Sequence, residues 1–120
     1  MGLDLTLLPV ECNRENFAFS HTMLNTERDY EWYKNIKAFE KVNGSPLTDN
    51  FSTFYSRENP DYDDACYHQT TRTPYGDRLL AVPAHILKST GFDHQSEMNK
   101  AVQAYLNCLP DNMMVALYWH

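Results

Sequence analysis

The last apolar run of the chain constrains the fold most, because nothing charged interrupts it. Residues 113–119 read MMVALYW and directly follow a Pro-Asp-Asn turn. A short run that is apolar on every side is typical of a strand covered on both faces, in the middle of a sheet. We therefore expect the chain to end inside its own core.

The N-terminal part of the chain alternates with the period of a strand. Leu3, Leu5 and Leu7 are separated by polar residues, and Pro9 then ends the pattern. A period of two predicts a strand with one buried face. The same alternation over residues 17–24 predicts a second strand.

Residues 27–42 have the spacing of an amphipathic helix. Thr26 has the form of an N-cap, and acidic residues follow it in the first turn, where the helix dipole favours negative charge. Gly44 and the proline that follows end the pattern, with Gly44 as a residue that tolerates a left-handed conformation. The predicted apolar positions are Trp32, Tyr33, Ile36, Phe39 and Val42.

The second half predicts further strands and two helices. Residues 51–56 and 79–82 read as short strands, and Pro83 is expected as the first residue of a short helix over 83–90. Asp93 is expected to cap another helix. The inner stripe of that helix is predicted to be Met98, Ala101, Val102, Tyr105 and Cys108 or Leu109. Together these elements predict one α+β domain over residues 1–120, with a mixed or antiparallel sheet of four to five strands packed by two main helices.

Composition excludes several classes of protein. The chain is 42% hydrophobic, which is typical of a folded globule, and its formal net charge of −6 disfavours nucleic-acid binding. No run of residues is long and apolar enough for a membrane span or a signal peptide. Three widely separated cysteines favour free, mostly buried thiols in a reducing cytosol over a disulfide framework.

The polar segment 57–78 is the candidate site. It has almost no aliphatic side chain, and a long irregular segment within a compact domain is usually functional or disordered. Arginine offers a planar fork for phosphate, and tyrosine offers a face on which a base stacks. The alternative is that Arg57 and Arg78 form weak surface pairs with Glu58 and Asp77. The candidate ligand-binding residues are Arg57, Tyr67, His68, Arg72, Tyr75 and Arg78.

Neither a metal centre nor a catalytic motif is predicted. Asp61, Asp63, Asp64, Cys66 and His68 form a run of metal-binding residue types, but zinc sites usually combine two separated pairs, so a solvated acidic turn is the preferred interpretation. The chain has no nucleophile elbow and no glycine-rich phosphate loop. We therefore expect no catalytic residue, no metal and no cofactor.

Several stretches resemble a family of small uncharacterised bacteriophage proteins. They are the opening GLDLTLLP of residues 2–9, SHTML of residues 20–24 with Glu27-Arg28 after it, Pro74-Tyr75-Gly76, and the closing LYWH of residues 117–120. The resemblance implies a phage product made in the cytoplasm of the host bacterium. It further implies a counter-defence factor, which either sequesters a nucleotide immune signal or blocks a host protein.

Three functions follow, in order of preference. The first is capture of a small anionic nucleotide-derived signal without turnover, with the arginines on phosphate and Tyr67 or Tyr75 on the base. The second is an inhibitor that binds a host defence protein through its acidic surface. The third is a hydrolase of the signal, which ranks last for lack of a motif. By analogy with signal-sequestering proteins, a homo-oligomer is expected for the first.

Overall fold

The C-terminal apolar run lies at the centre of a five-stranded sheet, as the sequence predicts. The computed structural model describes residues 3–12, 18–20, 22–47, 52–55, 66–69, 72–90 and 94–120. In chain order its elements are β1 (Leu5–Pro9), β2 (Glu11–Cys12), β3 (Ala18–Ser20), β4 (Leu24–Asn25), α1 (Tyr30–Asn43), β5 (Ser45–Pro46), β6 (Ser52–Tyr55), β7 (Cys66–Gln69), β8 (Leu80–Pro83), α2 (Ala84–Ser89), α3 (Glu97–Asn107) and β9 (Met114–Trp119). The strands of the larger sheet are ordered β4-β1-β9-β8-β5, and all its pairs are antiparallel.

A smaller sheet has the order β2-β3-β6-β7. The β3 and β6 strands are parallel, whereas the other two pairs are antiparallel. Only Val10 separates β1 from β2, and its N–H donates to the Met114 carbonyl at 2.8 Å, so one extended segment supplies a strand to each sheet. The described residues thus form one α+β domain, which confirms the predicted class; the second sheet is not predicted by the sequence.

The core lies between the helices and one face of the larger sheet. Its sheet residues alternate along β1, β8 and β9: Leu5, Leu7, Val82, Val115, Leu117 and Trp119. The helices add Trp32, Tyr33, Ile36, Ala84, Leu87, Val102 and Leu106. The opposite face of the sheet buries a smaller cluster of Leu8, Leu47, Leu79, Ala81 and Ala116. Because β9 contributes to both clusters, both of its faces are covered, and each large side chain it buries stabilises the fold by about 1.5–3 kcal/mol. No helix in the described ranges has the length and apolar character that crossing a bilayer demands.

Helix α1 begins later than the predicted cap at Thr26. Asp29 is the actual N-cap, and its Oδ1 accepts the Trp32 N–H at 3.1 Å. Thr26 instead donates to the Leu5 carbonyl through both its hydroxyl, at 2.8 Å, and its backbone N–H, at 3.2 Å. The predicted cap is wrong because the chain is still tied to β1 at Thr26.

The end of α1 lies at Gly44, as predicted, but for a different reason. Gly44 has φ −67°, which is not the left-handed conformation that the sequence suggested. Its N–H donates to the Glu40 carbonyl at 2.8 Å, and an added Cβ would overlap that oxygen and press on Leu80. Glycine is therefore required by the close approach of two chain segments.

Helix α3 buries a different face from the predicted one. Ser96 caps it, with its Oγ accepting the Asn99 N–H at 3.2 Å, whereas the predicted cap, Asp93, lies outside the described residues. The buried positions are Asn99, Val102, Gln103 and Leu106, and the exposed ones include Met98, Ala101, Tyr105 and Cys108. The predicted inner stripe is thus correct at Val102 and at its last position in the form of Leu109, which is partly buried against the core, and wrong at Met98, Ala101 and Tyr105. Cys108 is a free thiol but an exposed one, so the expectation of burial is wrong there.

Asn99 explains why α3 buries a different face from the predicted one. Its Oδ1 accepts the Glu27 N–H at 2.8 Å, and its Nδ2 donates to the Glu27 carbonyl at 2.9 Å. The amide thus pairs with the main chain before α1 as a neighbouring strand would, and it can be buried because both its polar atoms are satisfied. Hydrophobic periodicity does not detect such a residue.

The other predicted elements are partly correct. The β6 and β8 strands confirm the strands predicted at 51–56 and 79–82. Pro83 is the N-cap of α2 rather than its first residue. The single strand predicted over 17–24 is wrong, since β3 and β4 belong to different sheets. The irregular character predicted for 57–78 is wrong over β7, which pairs with β6, and over the hairpin of residues 72–78.

Candidate functional site

A tight hairpin over residues 72–78 forms one wall of the candidate site. Its Thr73 carbonyl accepts the Gly76 N–H at 2.9 Å, with proline at the second position of the turn and Gly76 at φ +89°. This is the arrangement of a three-residue hairpin loop, in which glycine takes the left-handed position. The Thr73 hydroxyl oxygen also accepts the N–H groups of Tyr75 and Asp77, both at 3.3 Å. The turn is therefore held from inside, and it leaves Tyr75 at the tip with 52% of its surface exposed.

Two arginines face each other across this hairpin. Arg72 and Arg78 are antiparallel bridge partners, so their side chains leave the same face of the hairpin. Arg72 Nη1 donates to the Gly76 carbonyl at 2.8 Å, and Arg78 Nη2 donates to the Leu47 carbonyl at 3.1 Å. Like charges directly opposite each other destabilise a hairpin. An anion placed between them would contact a guanidinium group on each side.

Helix α1 forms the opposite wall, where three residues on one side of the helix contact Trp119. The Tyr33 ring meets the indole edge to face, with centroids 5.4 Å apart. Lys37 Nζ lies 5.1 Å from the centroid of the indole ring, and Glu40 Oε2 accepts the indole N–H at 2.8 Å. The spacing of four and then three residues puts all three side chains on the same face. Trp119 is thereby fixed in place as the floor between the two walls.

The Tyr33 phenol connects the surroundings of Trp119 to the residues before α1. Burial raises its pKa, while its hydrogen bond with the Thr26 hydroxyl, 2.7 Å long, acts in the opposite direction. The Thr26 hydroxyl also donates a hydrogen bond to the Leu5 carbonyl of β1, so Tyr33, which contacts Trp119, is connected to the sheet through Thr26. The floor of the site is therefore held by buried contacts, whereas Tyr75 and Arg78 on the hairpin wall are exposed.

Between these walls lies a cleft of about 540 Å³. Its lining comprises Leu3, Lys37, Glu40, Thr73, Tyr75, Asp77, Arg78, Leu80, Leu117 and Trp119. Two cations, Lys37 and Arg78, are balanced by the two carboxylates of Glu40 and Asp77. The lining described here includes no histidine, cysteine or serine. This arrangement suits binding of a ligand that has an anionic group and hydrogen-bond donors of its own.

The sequence-predicted residues fall into three groups. Tyr75 and Arg78 line the cleft, and Arg72 stands opposite Arg78 on the same face of the hairpin. Tyr67 and His68 lie in β7, paired with residues of β6. Arg57 lies outside the described residues. The structure therefore brings three of the six candidates to one place.

Sequence reasoning missed Lys37, Glu40 and the role of Trp119. Lys37 and Glu40 are three residues apart on α1 and therefore share a side of the helix, but nothing in the sequence links that side to Trp119. Trp119 is 7% exposed and does belong to the core. Its contact with the helix depends on β9 lying beside α1 in space, which no local pattern indicates.

The other titratable groups form no competing centre in the part of the chain that the structure describes. No group of three or more His, Cys, Asp or Glu there is placed to hold a metal ion, and Asp61, Asp63 and Asp64 lie outside that part. His94 is buried, with its ring 4.4 Å from that of Trp32 and its Nε2 3.3 Å from the Gln103 amide oxygen. Comparisons with protein-family models, curated proteins and solved structures give no match.

Proposed function

We propose that this cleft binds a small anionic, nucleotide-like ligand and does not turn it over. The observation that carries the proposal is the meeting of Lys37, Arg78 and the exposed Tyr75 ring around one concavity. A protein with a net charge of −6 repels anions at long range, and the cations in the cleft lining are balanced by Glu40 and Asp77, so capture of an anion would depend on direct contacts with Lys37 and Arg78.

The anionic part of the ligand would lie between the two walls. Lys37 reaches the cleft from α1 and Arg78 from the hairpin, so a phosphate bridging them would contact a cation on each side. Hydrogen bonds between charged partners contribute about 1.5–3 kcal/mol each. Arg72, across the hairpin from Arg78, would stabilise a second phosphate at the rim.

The aromatic part of the ligand would lie on the hairpin side. Trp119 is covered by Lys37 and Tyr33 and offers little free surface, whereas the Tyr75 ring is half exposed. The carboxylates of Glu40 and Asp77 would accept hydrogen bonds from base or ribose donors. A bare phosphate would meet the same two negative charges without compensation, which favours a nucleotide over inorganic phosphate.

The biological setting rests on the resemblance to bacteriophage proteins. In that setting the ligand is a nucleotide immune signal of the host, and the protein acts in the cytoplasm of the infected cell. Binding without turnover would remove the signal stoichiometrically.

Isothermal titration calorimetry with cyclic dinucleotides, ADP-ribose derivatives and orthophosphate tests the proposal. We expect saturable heat with at least one nucleotide and a much weaker response to orthophosphate. Lys37→Gln should weaken nucleotide binding about 10–100-fold, the equivalent of one charge-assisted hydrogen bond. Lys34→Gln is the matched control, because Lys34 is exposed on the same helix but does not line the cleft.

Two further measurements separate the proposal from its alternatives. Chromatography of the ligand after incubation should return it unchanged, and product formation would indicate a hydrolase instead. Absence of heat with every nucleotide would remove the support for capture. In that case, a salt-sensitive stoichiometric partner pulled down from bacterial lysate would favour the inhibitor that binds through its acidic surface.

A further inference from the structure

The exposed face of α3 has a second apolar stripe that does not contribute to the core. Met98 and Tyr105 are 51% and 41% exposed, and Ala101 and Cys108 are exposed between and beyond them. These four residues, the α3 stripe, are spaced by three, four and three positions. That spacing aligns them along one side of a helix, and it is the pattern by which helices pair.

A groove runs along the α3 stripe. Met23, Leu24 and Asn25 form its other side, and Met98, Ala101, Val102 and Tyr105 form the α3 side. Met23 is 51% exposed, so large apolar side chains project from both sides. The β4 strand is an edge of the larger sheet, so the sheet ends beside this groove. Exposed apolar surface of this kind, contiguous across two elements, marks an interaction surface.

We propose that the α3 stripe binds the α3 stripe of a second copy of this chain, with the two helices antiparallel. The stripe is complementary to itself in this orientation. Position 103 is the midpoint between residues 98 and 108, and it is also the midpoint between residues 101 and 105. Antiparallel pairing therefore places Tyr105 opposite the small Ala101 of the other copy, and Met98 opposite the small Cys108. A two-fold interface needs this kind of self-complementarity.

A parallel arrangement lacks this fit. It would place the two large Tyr105 rings opposite each other, where they would overlap. It would also place the two small Ala101 side chains opposite each other, where they would leave a gap. In the antiparallel arrangement the large side chains instead occupy the spaces over the small ones, as close packing requires. The Met23 and Leu24 side of the groove then borders the ring of the partner copy's Tyr105.

The size of the surface sets the strength of the pairing. An 11-residue helix is only ~16 Å long, so the contact belongs to the small, transient class of interfaces. Each copy has a formal net charge of −6, and the two copies repel at long range. Salt screens that repulsion and leaves the apolar contact intact, so added salt should strengthen the dimer.

Sedimentation equilibrium over a concentration series tests self-association. The average mass should rise from 14.0 kDa towards twice that value, more steeply at higher salt. Tyr105→Lys should weaken the dimer about a hundredfold. The dimer loses two Tyr105 rings, one from each copy, and each loss weakens it roughly tenfold. Since lysine lowers the net negative charge, added repulsion would not explain that loss.

Val42→Lys is the matched control. Val42 is 80% exposed near the C-terminal end of α1, as Tyr105 is near the C-terminal end of α3, and lysine is favoured by the dipole at both places. The Val42→Lys substitution should leave self-association unchanged. A monomer at every concentration would overturn the proposal, and so would a dimer that Tyr105→Lys does not weaken.

Disulfide trapping tests the orientation. In Met98→Cys, mild oxidation should link residue 98 of one copy to Cys108 of the other, and peptide mapping by mass spectrometry identifies the link. Oxidation of the unchanged chain should give no Cys108–Cys108 link within the dimer, because the antiparallel helices hold the two thiols ~15 Å apart along the axis. A 98–98 link alone, or no link, would contradict the antiparallel arrangement.

Discussion

Replacing Asn99 with alanine should destabilise the protein far more than the loss of one polar side chain usually does. Asn99 is 1% exposed, and its amide makes two hydrogen bonds to the main chain of Glu27, at 2.8 and 2.9 Å. Alanine removes both bonds and leaves the Glu27 N–H facing an apolar methyl group, while the Glu27 carbonyl keeps only a hydrogen bond of 3.3 Å from the Tyr33 hydroxyl. Each lost hydrogen bond costs about 1 kcal/mol, and desolvated groups without a partner add to that.

The magnitude follows from these terms and from one that opposes them. Two bonds and residual desolvation total about 3 kcal/mol, whereas alanine has a helix propensity about 0.5 kcal/mol better than asparagine. We expect a net loss of about 2–3 kcal/mol in the free energy of unfolding. For a domain of this size that corresponds to a Tm lower by about 8–12 °C.

Urea and thermal unfolding followed by circular dichroism measure the effect. Asn35→Ala is the control, because Asn35 is exposed on α1 and the substitution adds helix propensity there too. It should change stability by less than about 0.5 kcal/mol. A loss below about 1 kcal/mol for Asn99→Ala would refute the view that this amide holds α3 against the chain before α1.

Two further predictions concern the N-terminal ion pair and the hairpin. The hydrogen bond and charge from Arg28 lower the pKa of Asp4. This exposed pair therefore stabilises the fold at a pH above the pKa that Asp4 has in the unfolded chain. The stabilisation is lost as the pH falls through the lower pKa that Asp4 has in the folded protein. Asp4→Asn should therefore reduce the acid-side decline of the urea midpoint. Gly76→Ala should lower the free energy of unfolding by about 1 kcal/mol through its φ of +89° alone, and Gly76→Asn should lose less. Equal losses for the two Gly76 variants would contradict that reasoning.

Much of the scaffold could be predicted from the sequence, because its strands are locally patterned. The run over β9 requires cover on both faces, as observed. The alternation over β1 locates that strand, but its prediction of one buried face is wrong because all five residues are buried. The spacing over α1 is correct at Trp32, Tyr33 and Ile36 and wrong at Val42, which is 80% exposed. The face of α3 could not be predicted, since the helix has two apolar stripes and the buried one includes Asn99, which is satisfied only by a distant partner. Local periodicity has no means of ranking two stripes on one helix.

The candidate site was half predictable for a related reason. Arg72, Tyr75 and Arg78 share one hairpin, so their proximity follows from short-range chain geometry. Lys37 reaches the same cleft from a helix far away in the sequence. Its role depends on the position of Trp119 at the end of β9, and thus on tertiary packing rather than on spacing.

The measurement that tests the central claim most directly is an NMR titration of the two tryptophan indole N–H signals. Trp119 donates to Glu40 in the cleft, whereas Trp32 donates to the buried Thr90 hydroxyl at 3.1 Å and serves as an internal reference. With a nucleotide that gives calorimetric heat, the Trp119 signal should shift saturably while that of Trp32 stays in place. If a nucleotide binds saturably but leaves the Trp119 signal unmoved, its binding site lies elsewhere on the protein.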